Sequence, residues 1–306
     1  MPDPQRKPPV HENHLQAFLD YLAFEKRFSV HTLTAYRGDL SDFFRFISGT
    51  FGEVAPGEIS YNMVRSWLAG LKDQGTNSRS LNRKISSLRS FFKYQLREGR
   101  IELSPMTQVI TPKNSKRLPV FVKEDDMQQL MNTLNSSTED WNTLNARTLI
   151  SLFYVTGMRL GEMISLKDSH IDLPRQTIRV LGKGNKERII PLIPGSVDLI
   201  GEYQSLKKKY FEKVDDRFLV TPKGKKLYPK YAYNLVNKAL SSISTLDKRS
   251  PHVLRHSFAT HLMNHGADLN AVKELLGHSS LAATQVYTHN TIEKLRDVHK
   301  KSHPRG

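Results

Sequence analysis

The sequence PHVLRHSFATHL, residues 251–262, combines two patterns in one stretch of helical length. Its apolar residues recur at a spacing of four, which is typical of a helix face that packs into a core. These residues are Leu254, Phe258 and Leu262. His252 and Arg255 are three residues apart, so both can contact one anion from another face of the same helix. The stretch therefore predicts a helix that is buried on one side and binds an anionic group with the other.

Residues of matching chemistry lie on both sides of this stretch. With His252 and Arg255 they form a set of two guanidiniums, one amine, two imidazoles and one phenol. The set consists of Arg159, Lys183, His252, Arg255, His278 and Tyr287. Arginine forks pair with phosphate oxygens in a fixed planar geometry, whereas a phenol with a pKa of about 10 needs help to become a nucleophile. The set predicts a site that holds a phosphodiester while a tyrosine oxygen attacks it.

The sequence around these residues favours positions in one site. Arg159 lies at a predicted helix start, where free N–H groups favour an anion, and Glu162 can hold its guanidinium. Lys183 lies in a Gly-Lys-Gly turn, from which an amine can donate a proton to a leaving oxygen. Gly277 is predicted to end a helix and to expose His278. Taken singly, each feature also fits an ordinary role: an intrahelical ion pair, a solvated lysine or a tyrosine in a core.

The charge of the chain indicates a polyanionic partner. The 306 residues carry 46 Lys and Arg and 30 Asp and Glu, a formal net charge of +16, and residues 111–306 hold 31 of the basic and 19 of the acidic side chains. The alternative is a merely soluble basic protein. The lack of Cys excludes disulfides and thiolate metal sites. A polar, Pro-rich start and the lack of a long apolar stretch lead us to expect a cytoplasmic, nucleoid-associated protein.

The sequence predicts two mainly helical domains joined by a linker. Residues 1–12 are expected to be a disordered tail, and residues 13–103 to form a domain of four helices. Residues 104–122, with three Pro and several basic side chains, are predicted to be a linker. Residues 123–306 are predicted to form an α-rich domain with a small antiparallel sheet, because two β-branched runs flank a Gly-Lys-Gly-Asn turn. A final helix is expected over residues 291–301.

The fourth predicted helix, about residues 78–97, has a basic face opposite its apolar face. Along it, basic and small side chains follow one another at spacings of four and three, in the order Arg79, Arg83, Ser86, Ser90, Lys93 and Arg97. Small residues permit a close approach while Arg and Lys contact phosphates, so this face suits a nucleic-acid groove. The alternative is an ordinary solvated face. From this helix and the hairpin we expect DNA contacts by Arg79, Arg83, Lys84, Lys93, Lys186 and Arg188.

The order and spacing of the motifs resemble the tyrosine recombinase (phage integrase) family, and most closely its Xer-type bacterial members. The matching segments are TGMRLGEM at 156–163, GKGNKER at 182–188, HVLRHSFATHL at 252–262, LLGHSS at 275–280 and VYTH at 286–289. Each motif alone is at most moderately specific, but their order is complete and the resemblance covers nearly the whole chain. It implies an N-terminal SAM-like DNA-binding domain and a catalytic domain that cuts and rejoins DNA.

The resemblance also implies a role for each of the six residues. Tyr287 is implied to be the nucleophile, with His252 as its acid–base partner, and Lys183 to be the proton donor to the departing 5′-oxygen. Arg159 and Arg255 are implied to contact the non-bridging oxygens of the phosphate, and His278 to add a further hydrogen bond to it. The tyrosine forms a 3′-phosphotyrosyl link, which keeps the energy of the phosphoester. No ATP, metal or other cofactor is therefore expected.

For assembly, the resemblance implies a tetramer on two paired DNA sites, made of identical chains or formed with a paralogous recombinase. Helix 291–301 is the expected coupling element between protomers, with docking on its own domain as the alternative. The expected role is resolution of chromosome dimers at a terminus site during segregation, with a division-associated DNA translocase as a further partner. Integration or inversion of a mobile element is the alternative role.

Three other classes of protein share part of this pattern. A DNA-binding regulator would have the basic helix but gives no reason for the ordered catalytic set. A type IB topoisomerase shares the chemistry but would relax one duplex as a monomer. A metal-dependent hydrolase could use histidines of the quoted helix and its end, but Leu-Met-Asn separates His261 from His265, without the Glu of a zinc protease. The histidines in question are His252, His256, His261 and His265.

Overall fold

The computed structural model describes residues 10–113, 120–136, 140–182, 187–243, 249–277, 298–299 and 301–304. These residues form a mainly helical protein with one small antiparallel sheet, which confirms the predicted fold class. The chain divides into two compact units, Met1–Arg117 and Leu118–Gly306, here called the first and the second unit. Among the described helices, none combines the length and the apolar character that a membrane span requires.

The first unit is a helical domain whose helix starts are fixed by side-chain caps. Its elements are α1 (Val10–Asp20), a π-helical turn (Tyr21–Glu25), α2 (Val30–Phe51), α3 (Tyr61–Asp73) and α4 (Ser78–Arg97). Ser29, Ser60 and Asn77 each accept a hydrogen bond from a backbone N–H of the following first turn. Buried aromatic rings build the core, among them Phe18, Phe43, Phe44, Phe91 and Phe92.

The start of α1 corrects the tail predicted for residues 1–12. Residues 10–12 are helical, and His11 is buried because its ring stacks on Phe44 with the centroids 4.5 Å apart. Histidine is polar and this one follows a Pro-rich segment, so the sequence does not predict the burial of His11. Residues 1–9 lie outside the part of the chain that the structure describes.

The first part of the predicted linker, residues 104–122, packs on the first unit. Met106 and Val109 are buried in the core of that unit. The Arg89 guanidinium of α4 donates to the Val109 carbonyl at 2.5 Å. Val122 is buried in the core of the second unit. Only the residues between Val109 and Val122 are left to connect the two cores.

The second unit consists of helices and one small sheet. Its described helices are α5 (Glu124–Ser136), α6 (Trp141–Thr156), α7 (Leu160–Ser165), α8 (Pro194–Tyr210), α9 (Pro229–Ser241), α10 (Pro251–Asn264) and α11 (Leu269–Leu276). The strands β1 (Ile171–Asp172), β2 (Thr177–Leu181) and β3 (Glu187–Pro191) pair antiparallel in that order. Strands β2 and β3 form the predicted hairpin, with Val180 opposite Arg188. The turn of the hairpin, residues 183–186, lies outside the described residues.

Helix α6 is the centre of the second unit and is buried along nearly its whole length. It packs against α5, α8, α9 and α10. At its end, Gly157 has a φ of +58°, and a Cβ there would lie 2.5 Å from Cδ1 of Phe258. Glycine is required for this close approach between the end of α6 and α10. The approach brings Arg255 of α10 to the turn between α6 and α7.

Candidate functional site

Arg159 occupies the N-cap position of α7, at the predicted helix start. Its backbone N–H donates to Oε2 of Glu162 at 2.8 Å, and its Nη1 donates to Oε1 at 3.0 Å, as the sequence predicts. Its Nη2 donates to the carbonyl of Gly277 at 3.1 Å. The side chain is nevertheless 39% exposed. Arg159 is therefore held in place and is still open to a ligand.

Arg255 is the more buried of the two arginines in the predicted set, with 8% exposure. Its Nη1 donates to the carbonyl of Gly157 at 2.5 Å, and its Nη2 donates to that of Leu276 at 2.7 Å. Burial, followed by the nearby positive charge of Arg159, lowers the pKa of Arg255 to about 10. Neutral pH is still well below that value, so the guanidinium keeps its charge.

Arg188 on β3 is predicted from sequence to contact DNA, and the structure corrects this. Its side chain is 6% exposed, and its Nη1 and Nη2 donate to Oε1 and Oε2 of Glu162 at 2.9 and 2.8 Å. Its Nε donates to the carbonyl of Leu275 at 3.1 Å. The sequence did carry a signal for this, because Arg188 and Ile190 share the buried face of the strand. A basic residue at such a position indicates an internal ion pair.

The three guanidiniums meet at the C-terminal end of α11. Three consecutive carbonyls accept one arginine each: Leu275 from Arg188, Leu276 from Arg255 and Gly277 from Arg159. The last carbonyls of a helix lack partners within the helix and lie at the negative end of its dipole, which favours cations. Gly277 ends α11 with a φ of +63°, as the sequence predicts. The arginines therefore fix the point from which the chain continues to His278.

Glu162 lies at the centre of this arginine cluster, which we define as Arg159, Glu162, Arg188 and Arg255. Burial alone would raise the pKa of Glu162, but the hydrogen bonds and charge of Arg188, with further bonds from Arg159, lower it below its usual value. Three guanidiniums thus face one ionised carboxylate, and the cluster keeps a surplus of positive charge. A surplus carried by planar forks suits a phosphodiester.

The remaining residues of the predicted set are placed only in part. His252 lies on α10 three residues before Arg255 and is exposed, while His256 is half-buried. The structure therefore brings Arg159 and Arg255 together and leaves His252 on the exposed side of the same helix as Arg255. Outside the described residues lie Lys183, Lys186, His278 and Tyr287.

The histidines near the end of α10 make contacts within the protein, and this argues against the zinc pair of a hydrolase. Nδ1 of His261 lies 2.9 Å from the Tyr154 hydroxyl, and its Nε2 lies 2.9 Å from the Val122 carbonyl. Nδ1 of His265 lies 2.9 Å from the His261 carbonyl. In the part of the chain that the structure describes, no three acidic or histidine side chains are grouped so that they could hold a metal ion.

The basic face of α4 is exposed at most of the predicted DNA contacts. Arg79 and Lys93 are exposed. Arg83 is half-exposed, and its Nη1 forms a 2.6 Å ion pair with Oδ2 of the buried Asp39. The ion pair with Asp39 therefore orients the Arg83 guanidinium at the surface and leaves it partly exposed to solvent.

Lys84 departs from the prediction that it contacts DNA. The residue is 9% exposed, and its Nζ lies 3.3 Å from Oδ1 of Asp39 and 2.9 Å from Oδ2 of Asp42. The ammonium also lies 5.4 Å from the centre of the Trp67 ring. The Lys84 ammonium is thus paired with carboxylates inside the first unit, and Lys84 is not part of the exposed basic face.

The C-terminal segment packs on its own unit where it is described. The rings of His299 and His303 lie 5.7 and 5.9 Å from that of Phe258, and Nε2 of His303 lies 3.0 Å from the Tyr154 carbonyl. Both histidines are buried. The sequence predicts that helix 291–301 docks on a neighbouring protomer, with docking on its own domain as the alternative. Of this helix the structure describes residues 298, 299 and 301, and His299 packs on its own unit; the other residues of the predicted helix lie outside the described part of the chain.

Comparison with known proteins assigns this chain to a family. Residues 120–294 match the model of the phage integrase family, and residues 15–99 match that of the phage integrase N-terminal SAM-like domain. The chain therefore belongs to the phage integrase family. It is 35% identical to tyrosine recombinase XerC of Chlorobaculum parvum over 98% of both chains. It is 40% identical to XerC of Listeria innocua over 94% of this chain and 97% of the relative.

Solved structures of a recombinase and an integrase share the fold. The XerH site-specific recombinase bound to palindromic difH substrate, in a post-cleavage complex, has a TM-score of 0.73 at 22% identity, with 96% of both chains covered. A lambda integrase dimer bound to a COC′ core site has a TM-score of 0.68 at 17% identity, with 94% of this chain and 95% of that one covered. The family and the XerC relatives make this protein a tyrosine-type site-specific DNA recombinase, as the motifs predict.

Proposed function

We propose that this recombinase cuts and rejoins DNA strands through Tyr287 while the arginine cluster binds the scissile phosphate. The convergence of Arg159 and Arg255 supports this most strongly. Their guanidiniums are held by the carbonyls of adjacent residues, and Arg159 is still open to solvent. This arrangement can present two forks to the non-bridging oxygens of one phosphate, where negative charge grows in the transition state.

In the proposed reaction, the Tyr287 oxygen attacks the phosphorus and the bond to the 5′-oxygen breaks. A 3′-phosphotyrosyl link forms and a 5′-hydroxyl leaves. His252 accepts the tyrosine proton, and Lys183 gives a proton to the departing oxygen. The 5′-hydroxyl of a partner strand then attacks the link and frees the tyrosine. The number of phosphoester bonds is unchanged, so the proposed reaction uses neither ATP nor a metal.

His278 is proposed to add a hydrogen bond to the same phosphate. It follows directly on Gly277, whose carbonyl accepts Arg159. The end of α11 is therefore a fixed starting point for the segment that carries His278 and then Tyr287. Arg79, Arg83 and Lys93 of the first unit are proposed to contact the DNA backbone and to fix its register.

We further propose that the DNA partner is a chromosomal terminus site at which the enzyme resolves chromosome dimers. Similarity to bacterial XerC proteins over nearly the full length supports this role over integration or inversion of a mobile element. The active assembly is proposed to be a tetramer on two paired sites, of identical chains or with a paralogous recombinase, and to be controlled by a division-associated DNA translocase. Its place of action is the nucleoid in the cytoplasm.

Covalent trapping tests the chemistry. A duplex with a nick next to the scissile phosphate loses its short 5′-ended fragment after cleavage, so the enzyme stays attached to the DNA. The wild type should form this adduct in the presence of excess chelator, and Tyr287→Phe should not. Tyr228→Phe is the matched control, because Tyr228 is exposed on the same unit. Equal trapping by wild type and Tyr287→Phe contradicts the mechanism, and binding without any adduct indicates a regulator.

Mapping of covalently bound DNA in cells tests the biological role. Fragments attached to the protein are isolated and sequenced across the genome. Enrichment at one chromosomal terminus site supports dimer resolution. Enrichment at the ends of a mobile element overturns that role while leaving the recombinase chemistry in place.

A further inference from the structure

The carboxylate of Glu162 is shared unequally between two arginines. Arg188 donates to both oxygens through its planar fork, at 2.9 and 2.8 Å. Arg159 donates to one oxygen through its side chain, at 3.0 Å, and to the other through its backbone N–H, at 2.8 Å. The bidentate partner of Glu162 is therefore the buried Arg188 and not the exposed Arg159.

The sharing of the Glu162 carboxylate between Arg188 and Arg159 determines how much positive charge Arg159 keeps for a phosphate. A buried carboxylate without Arg188 would draw the Arg159 fork into a full bidentate pair and cancel its charge. We propose that Arg188 is a positioning residue that neutralises Glu162 and so keeps the charge and the outer N–H groups of Arg159 available to the DNA phosphate. This inference rests on the proposed function, in which Arg159 binds the scissile phosphate.

A second contact ties the same side chain to the end of α11. Nε of Arg188 donates to the Leu275 carbonyl at 3.1 Å. A Cβ on Gly277 would lie 3.0 Å from Cδ of Arg188, so the stem of the arginine runs directly along the helix end. One guanidinium thus connects Glu162 with the helix terminus. A lysine has one ammonium on a flexible stem and cannot make these three bonds in one plane.

The groups that face Glu162 come from three elements. Among the described residues they are Arg159 at the start of α7, Arg188 on β3 and Arg255 on α10. With Arg188 in place, its bonds and charge outweigh burial, and Glu162 stays ionised. Without Arg188, burial becomes the larger influence and the pKa of Glu162 rises. At low pH the carboxyl is then protonated and releases Arg159, whereas at high pH it is ionised and captures Arg159.

The test compares adduct formation on the nicked duplex for Arg188→Met and for Glu162→Gln/Arg188→Met. Arg188→Met should slow adduct formation about 10- to 100-fold at neutral pH, the range for residues that orient a catalytic group. Its rate should rise as pH falls, unlike that of the wild type. The double variant removes the carboxylate charge and should be faster than Arg188→Met at neutral pH. A purely structural role for Arg188 predicts the opposite, a double variant slower than Arg188→Met.

Two controls separate the possible failures. Arg175→Met removes an exposed arginine of the same unit, and it should leave both the rate and the pH profile of adduct formation unchanged. Thermal unfolding checks that each variant is folded. Should Arg188→Met not fold, the double variant, which leaves no buried carboxylate without its bidentate partner, decides: a retained adduct supports the inference and its loss overturns it. Equal rates and pH profiles for wild type and Arg188→Met would contradict only the positioning role of Arg188. A wild type that forms no adduct would contradict the proposed function.

Discussion

Arg255 and Gly157 are joined by a 2.5 Å hydrogen bond across 98 residues of sequence. The carbonyl that accepts this bond ends α6, the buried central helix of the second unit. The side chain proposed to bind the phosphate is therefore anchored on the core, with little freedom to move. An anchored fork loses little conformational entropy when the phosphate arrives, which favours catalysis.

Replacement of Arg255 with Lys should greatly slow DNA cleavage. The lysine keeps the charge but cannot hold the carbonyls of Gly157 and Leu276 while also presenting a fork to the phosphate. We expect a loss of about 100- to 1000-fold in the rate of adduct formation, as for removal of one transition-state donor. Single-turnover trapping on the nicked duplex measures this. Arg175→Lys, at an exposed position, serves as the control; a loss of similar size there would contradict the assignment.

Replacement of Gly157 with Ala should destabilise the second unit. The residue has a φ of +58°, and the added Cβ would lie 2.5 Å from Phe258 and 2.9 Å from Leu276. Left-handed backbone strain and overpacking together should cost about 2–4 kcal/mol in the free energy of unfolding. Urea denaturation measures the change. Gly161→Ala is the matched control, because a Cβ at Gly161 meets no atom within 4 Å; equal losses for the two variants would rule out this explanation.

Substitutions on α4 should separate DNA contact from internal packing. Lys93→Ala removes an exposed charge, so DNA affinity should fall and the slope of log affinity against log salt should decrease by about one ion. Lys84→Ala removes a buried partner of Asp39 and Asp42, so it should lower the stability of the first unit and leave the salt slope unchanged. Titrations at several salt concentrations measure both. A salt slope that responds to Lys84 and not to Lys93 would refute the assignment.

Stability should fall below neutral pH because of His299. Burial lowers the pKa of this histidine to about 4, against 6.5 for the ordinary side chain. The unfolded chain therefore binds the proton more tightly, so the stabilisation is complete above pH 6.5 and is lost as pH falls towards 4. The full loss amounts to about 3 kcal/mol. Urea denaturation at a series of pH values measures it.

His299→Phe should remove this part of the pH dependence, because the ring remains and the titrating group does not. His252→Phe, at an exposed position, should leave the dependence as in the wild type. An unchanged pH profile for His299→Phe would show that the C-terminal segment is not buried on its own unit in solution.

Much of this arrangement follows from local sequence. The spacing of Leu254 and Phe258 predicts the buried face of α10, the Gly-rich turn predicts the hairpin, and Gly277 predicts the end of α11. Each of these depends on neighbours in the chain, so one sequence carries the information. The Arg159–Glu162 pair is predictable for the same reason, because the two residues share one helical turn.

The partners of Arg188 and Lys84 could not be predicted in the same way. Both are basic residues in basic segments, and composition therefore favours solvent and DNA. Their acidic partners lie 26 and 42 residues away in sequence, and only the tertiary fold brings them together. For helix 291–301, an apolar stripe fits a groove on its own unit as well as one on a neighbour, so the sequence alone does not decide between the two.

The position of the end of α11 in the sequence also determines at which stage of synthesis a complete arginine cluster can form. Its three carbonyl acceptors meet arginines that precede them by 118, 87 and 21 residues. A nascent polypeptide that has not yet emerged beyond α10 has these guanidiniums but not the acceptors that orient them. The same is true of any proteolytic fragment that ends before residue 269. By the proposed mechanism, an incomplete chain is thus unable to break DNA, and this capacity arises only with the nearly finished fold.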